Sequence, residues 1–263
     1  MRISDNKGNV TNFGIINNTI QNNVELTLEQ KMEIKTSFKE FIKAIFGKLT
    51  YKFIGNYKLE KVLFEKYIIA QIDNIDTKKI VEPRLSVVGP TIENLKYNMT
   101  EEQIRKMYEN ILIGELNEDI HSKILPAYIE IVKQLSKEDA VFLKSLKDTK
   151  KQQLSLLYVR LKNTTDSGYI EVEKIIVVHN NNNVGHTIKP NKIVLENLER
   201  LNIIKTNDDI TLNGEETSVK NAFDYYRSHF DESLLQKDLT LGYDIGMLEI
   251  TEFGKNFIDI CCS

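Results

Sequence analysis

From Thr27 onward apolar residues recur every three or four positions, the spacing that gathers them on one face of an α-helix. Thr27-Leu28-Glu29-Gln30 reads as a capping box, in which the Thr hydroxyl accepts from the amide three residues on and Gln30 reaches back to the cap amide. The helix it opens carries Phe38, Phe41, Ile42, Ile45, Phe46 and Leu49 as an apolar stripe flanked by Lys31, Lys35, Lys39, Lys43, Lys48 and Lys52. Gly47 and Gly55 loosen or end that run. A second helix is predicted over residues 57–75 from Leu59, Val62, Leu63, Phe64, Ile68, Ile72 and Ile75. Pro83 lacks an amide proton and biases Glu82 toward extended geometry, so a turn follows, then a short helix over 87–95 interrupted at Gly89-Pro90. Thr100-Glu101-Glu102-Gln103 repeats the capping-box pattern ahead of Ile104, Met107, Tyr108, Ile111 and Leu112. A helix over 126–135 starts at Pro126, where a missing amide costs nothing, and Ser136-Lys137-Glu138-Asp139 caps the next one, which contains Phe142, Leu143 and Leu146. The short connections favour neighbouring helices in one bundle.

Beyond residue 150 the pattern is less uniform. Leu154, Leu157, Tyr158 and Leu161 stand at helical spacing, while 169–178 is β-branched and ambiguous between strand and helix. A helix over 191–201 presents Val194, Leu195, Leu198 and Leu201. Val219, Ala222, Phe223, Tyr226 and Phe230 mark another, and 251–261 a last one. Ile203-Ile204, Ile210-Thr211-Leu212 and 239–250 look like short strands. The fold class expected is mainly α: a helical bundle at 27–150, then a winged-helix-like α+β domain at 151–263, preceded by an Asn-rich N-terminal segment at 1–26.

That leading segment changes the picture, because it has many asparagines and almost no charge after Lys7. Val10, Phe13, Ile15, Ile16 and Ile20 lie in it among Asn and Gln without proline, the composition of segments that pair as identical strands, and they are candidate self-assembly residues. Over the whole chain of 263 residues, 41% are apolar, enough for one large or two small cores. A net charge of -3 and a pI near 5.9 give no global attraction to phosphate. Cys261 and Cys262 are adjacent, a poor arrangement for bridging, so a reducing compartment is expected. No apolar run reaches the 18 or so residues of a membrane span and no signal core follows the N-terminus, which points to the cytoplasm.

Four motifs then line up in order: Glu82-Pro83, Ile111-Leu112, Leu125-Pro126-Ala127-Tyr128, and Leu135-Ser136-Lys137-Glu138-Asp139-Ala140. The chain closes on Leu195, Leu198, Leu201, Ile203-Ile204 and Leu248, Ile250-Thr251, Gly254, Phe257, a pattern similar to a winged-helix module. Together, over roughly residues 40 to 262, these resemble the Abi-alpha abortive-infection family of bacterial phage-defence proteins. Its members carry an acidic-Pro turn, an amphipathic helix with a Leu/Ile pair, His-Pro-x-Phe and Leu-Ser-x-x-Asp/Glu-Ala. Leu125 stands where that pattern has histidine, and His121 is not the matching position, so the motif reads as the start of a helix and not as an active site.

The resemblance implies an anti-phage protein of the abortive-infection type. Catalytic signatures do not add to it: Gly47-Lys48 and Gly254-Lys255 lack the rest of a Walker loop, and neither Gly-x-Ser-x-Gly nor His-Glu-x-x-His occurs. His179 and His186 lie in an Asn/Gly loop without nearby acids or cysteines to complete a metal site. Glu115, Glu118 and Asp119 give no basis for an acid and base pair. No catalytic residue, cofactor or metal is therefore assigned. A non-enzymatic sensor or effector is expected, acting through a protein partner or self-association, or through a membrane surface touched by Phe38, Phe41, Ile42, Ile45 and Phe46 on their basic helix. The alternatives are an unrecognised hydrolase and a winged-helix regulator of nucleic acid. Its reading helix would carry Glu196 and Glu199 toward phosphates, which weighs against it.

Overall fold

The computed structural model describes residues 25–48, 57–165, 168–179, 186–231, 235 and 238–262. Val10, Phe13, Ile15, Ile16, Ile20 and Leu49 lie outside them. The fold is mixed α+β and not mainly α: among the described residues ten α-helices accompany a five-stranded antiparallel sheet in the C-terminal half.

The Thr27 capping box forms, with the Thr27 amide on Gln30 Oε1 at 2.9 Å and the Gln30 amide on Thr27 Oγ1 at 3.3 Å. It starts α1 (Leu28–Lys48), whose Phe38, Ile42 and Phe46 join the core with Phe64, Ile68 and Ile72 of α2 (Tyr57–Asn74). The Phe46 and Phe64 rings lie 4.6 Å apart. The lysines beside the stripe finish this contact. Lys35 Nζ donates to the carbonyls of Ile75 at 2.7 Å and Asp73 at 3.0 Å, and Lys39 pairs with Asp73 at 2.8 Å, so cations from α1 meet the negative end of α2.

Next, α3 (Leu85–Tyr97) runs straight through Gly89-Pro90. The predicted interruption there is wrong because Val87, Val88, Thr91, Ile92 and Leu95 form one buried face across it, and that burial outweighs the lost amide while the proline stays exposed. α4 (Glu102–Glu115) also departs from its reading. A turn from Asn98 to Glu101 makes Glu101 the cap residue, and no capping box forms at Thr100. After the short α5 (Glu118–His121), α6 (Ala127–Gln134) begins after Pro126, and α7 (Lys137–Thr149) carries the full Ser136/Asp139 capping box. Lys150 ends α7 in the left-handed region, φ 55°.

Residues 154–161 are not a helix. They belong to β1 (Gln153–Asn163), which pairs with β2 (Tyr169–Val178) on one side and β5 (Leu239–Ile250) on the other. β3 (His186–Ile188) and β4 (Ile204–Asn207) complete the order β3-β2-β1-β5-β4. Both faces of β1 are covered, so Leu154 through Arg160 are all buried, and a doubly buried strand shows no alternation. Its 154/156 face meets the helical half in one apolar cluster reaching from Phe38 to Cys261. Its 157/159 face meets Val219 and Phe223 of α9 (Glu216–Ser228). Ile210-Thr211-Leu212 is not a strand, because the chain leaves β5 after four pairs and turns at Asp208. α8 (Lys192–Arg200) and α10 (Glu252–Cys261) pack on the helical half.

Candidate functional site

Alternation along β1 places Leu154, Leu156, Tyr158, Arg160 and Lys162 on one face. The apolar members pack under the helices, and the polar ones carry on to the end of the sheet. Register sets Lys174, Glu171 and Tyr169 of β2 and Asp244 of β5 beside them. The β1/β2 pairing shifts between Val159 and Arg160 and leaves Val172 as an extra residue, the kind of bulge that re-aims side chains. Gly246 is required here: a Cβ on it would lie 2.5 Å from the Asn207 carbonyl oxygen and 2.6 Å from the Tyr158 ring. Its absence lets the Asp208 turn close over Tyr158.

Arg160 is the centre of this group and only 7% exposed. Its Nη1 donates to Asp244 Oδ2 at 2.5 Å and its Nη2 to Asp208 Oδ2 at 3.2 Å. The guanidinium carbon sits 4.0 Å from the centre of the Tyr169 ring and 5.0 Å from that of Tyr158, within cation–π range. Lys162 Nζ holds the other oxygen of Asp244 at 2.7 Å. Burial raises the Asp244 pKa, but Lys162 and Arg160 outweigh it and hold the carboxyl below its usual range. Tyr158 is pushed the other way, by burial first and then by Asp208, so its hydroxyl keeps its proton. That hydroxyl and Arg160 Nε are buried without a hydrogen-bond partner among the described residues. The open cleft beside Arg160 holds about 790 Å³ and is lined by Arg160, Tyr169, Asp208, Asp209, Tyr243 and Asp244. Three carboxylates, Asp208, Asp209 and Asp244, against the two cations Arg160 and Lys162, with two tyrosine rings, leave an excess of negative charge that suits recognition of a cationic group.

The residues singled out in the sequence sit elsewhere. Phe38, Ile42 and Phe46 are core, Ile45 is half-buried against it, and Phe41 is 40% exposed. His179 bonds Ser218 at 2.8 Å, while His186 starts β3. Among the described residues no group of three or more His, Cys, Asp or Glu is arranged to hold a metal. On α8, Glu196 is exposed, but Glu199 turns inward and accepts from the Thr206 amide at 2.9 Å and the Thr206 hydroxyl at 2.5 Å. Both C-terminal thiols are raised by burial, Cys262 to about 12, and remain protonated. Sequence reasoning missed Arg160 and its partners altogether.

The abortive infection alpha family model matches residues 55–261, from just before α2 to the end of α10. The chain belongs to that family. No curated protein and no solved structure gives a significant match. The motifs that carry the family resemblance are joints of the fold. Arg84, next to Glu82-Pro83, binds Glu115 of α4. Ile111 and Leu112 are core. Tyr128 packs edge-on against Phe253 and Phe257 of α10 at 5.6 and 5.3 Å. Asp139 closes the Ser136 capping box and accepts from Asn197 of α8 at 2.8 Å, tying the two halves together. Leu125 is an exposed residue ahead of α6. The apolar stripe of α1 precedes the matched span.

Proposed function

We propose that this protein limits phage spread in the bacterial cytoplasm as an abortive-infection factor that acts by contact, binding a basic segment of a protein partner in the Arg160 cleft. Family membership supports the defence role. The observation that carries the contact reading is the buried Arg160, fixed by two carboxylates and two rings at an uncovered end of the sheet. The partners Asp208 and Asp244 keep 54% and 40% of their side chains exposed, so carboxylate surface is left at the cleft for an incoming cation.

The membrane reading has less support. Phe38, Ile42 and Phe46 face α2, and Lys35 and Lys39 are bound to its end, so α1 would have to leave its partner helix before entering lipid. Self-association through Val10, Phe13, Ile15, Ile16 and Ile20 is a separate proposal about residues outside the described ones. The winged-helix reading has the order α8, β4, β5, α10 in its favour. Against it, Asn197 and Arg200 of α8 are engaged with Asp139 and Gln134 of the helical half.

The test is plaque formation on cells expressing single variants whose thermal midpoints are measured alongside. Arg160→Met and Asp209→Lys are expected to fold normally and lose protection. Full protection by both, with Phe41→Glu losing it, would move the activity to α1 and overturn the assignment to the cleft.

A further inference from the structure

A second cleft, on the seam between the helical half and the sheet, has the opposite charge. Lys147 on the last turn of α7, Lys150 and Lys151 just after it, and Lys255 of α10 stand around a floor of Leu146, Ile250 and Ile258. Asp259 is the one carboxylate lining it. Lys151 is paired with Glu215 at 3.1 Å, whereas Lys147, Lys150 and Lys255 have no ion pair among the described residues. The lysine of α7 itself is explained locally, since a cation at a helix C-terminus is favourable.

Lys150 shares that charge advantage but not an easy backbone. Lys150 holds φ 55°, ψ 19° at the end of α7, where glycine is the usual residue because a Cβ is strained there. Lys255 is the fourth residue of α10, past its first turn, with Glu252 three positions before it and Asp259 four after. What it shares with Lys147 and Lys150 is the cleft they line. Its volume of about 300 Å³ is at the small end of ligand pockets, which run from about 300 to 1,000 Å³. Extended nucleic acid calls for a longer basic track than four lysines around an apolar floor.

We propose that the Lys147/Lys150/Lys255 cleft binds a small organic phosphate, its anionic oxygens on the lysines and its apolar body on Leu146, Ile250 and Ile258. A ligand there touches α7, α10 and the end of β5 together, so binding joins the two halves of the chain. The site is independent of the Arg160 cleft.

The experiment is calorimetric titration of the full chain at low salt with two probes, AMP and inorganic pyrophosphate. Both are expected to bind, AMP more tightly because it also covers the floor. Lys147→Ala with Lys255→Ala is expected to weaken AMP binding by about tenfold or more, the loss of at least one charge-assisted hydrogen bond. Lys150→Gly separates binding from folding: it is expected to weaken AMP binding while leaving the thermal midpoint equal or higher, since it relieves the left-handed lysine. Absence of binding by either probe, or AMP binding unchanged in the double variant, overturns the proposal. So does cosedimentation with phosphatidylserine vesicles, or tight binding of duplex DNA, when neither small probe binds.

Discussion

Glu115 is fully buried at the end of α4 and takes hydrogen bonds from a single residue three times: from the Arg84 amide at 3.0 Å, from Nε at 3.2 Å, and from Nη2 in an ion pair. The same Nη2 donates to the carbonyls of His121 and Ile124, each at 2.9 Å. One guanidinium thus fastens the start of α3 to the end of α4 and to the chain after α5. Glu115→Ala leaves the Arg84 amide and part of its guanidinium without an acceptor. Removing one partner of a buried pair costs about 3–5 kcal/mol. Arg84 is 36% exposed on its side chain, so water takes over some of the lost contacts and the lower end, about 3 kcal/mol, is expected. Glu115→Gln keeps the shape and one acceptor, and about half that loss is expected. In urea, with a slope of about 2–3 kcal/mol per molar, the Ala variant should unfold about 1 M earlier at unchanged slope. A loss below about 1 kcal/mol would mean that water replaces Glu115 at Arg84 with little cost, and the joint assigned to Arg84 would be wrong.

Burial is the main cause raising Glu109 to about 7, against Arg105, whose Nε lies 3.2 Å away. The folded protein then keeps a proton that the unfolded chain releases near 4.5, so this contribution is complete below about pH 4.5 and is lost as pH rises toward 7, on the order of 3 kcal/mol. Glu109→Gln should therefore melt above the wild type at pH 8 and level with it near pH 4.5; an equal difference at both pH values would refute the assignment. On α8, Leu198→Ala should cost about 2–5 kcal/mol through a cavity at a fully buried position, and Glu196→Lys less than about 0.5 kcal/mol. Glu199→Lys should cost about 1–3 kcal/mol by leaving Thr206 unbonded, and equal urea midpoints for the two Glu variants would disprove its inward role.

The helical half was legible because its helices, the second half of α4 excepted, bury chiefly one face. Period and caps agree there, and the Thr27 and Ser136 boxes form as read. Thr100 fails because the cap position is decided by the Asn98 turn, which residue spacing does not encode. β1 was misread for a different reason: with both faces buried, its apolar residues are nearly continuous, and 154, 157, 158 and 161 fit a helix by coincidence. Taken with a period of two, Leu154, Leu156, Tyr158, Arg160 and Lys162 turn from apolar to polar along one face, a signal for a strand that runs out of the core. The arrival of Asp244 and Asp208 at Arg160 had no such signal. It depends on sheet register, on the turn after β4 and on the space left by Gly246.

The resemblance and the chemistry occupy different parts of this molecule, for a physical reason. Ser136, Asp139 and Tyr128 bond or pack inside the protein, and a hydrogen bond made internally is unavailable to a ligand. Family membership therefore argues for a shared architecture, in which α7 and α10 of the two halves enclose one apolar cluster. Open to a ligand, by contrast, are two clefts of opposite sign. In the acidic one, Arg160 Nε is buried without a partner at a cost of about 1–3 kcal/mol, a cost that packing alone gives no reason to retain. In the basic one, Lys150 accepts a strained backbone. Local stability is also given up inside the helical half, at Tyr108 and Glu109 of α4, but only the clefts are open to a partner, and there the mechanism of this protein is to be sought.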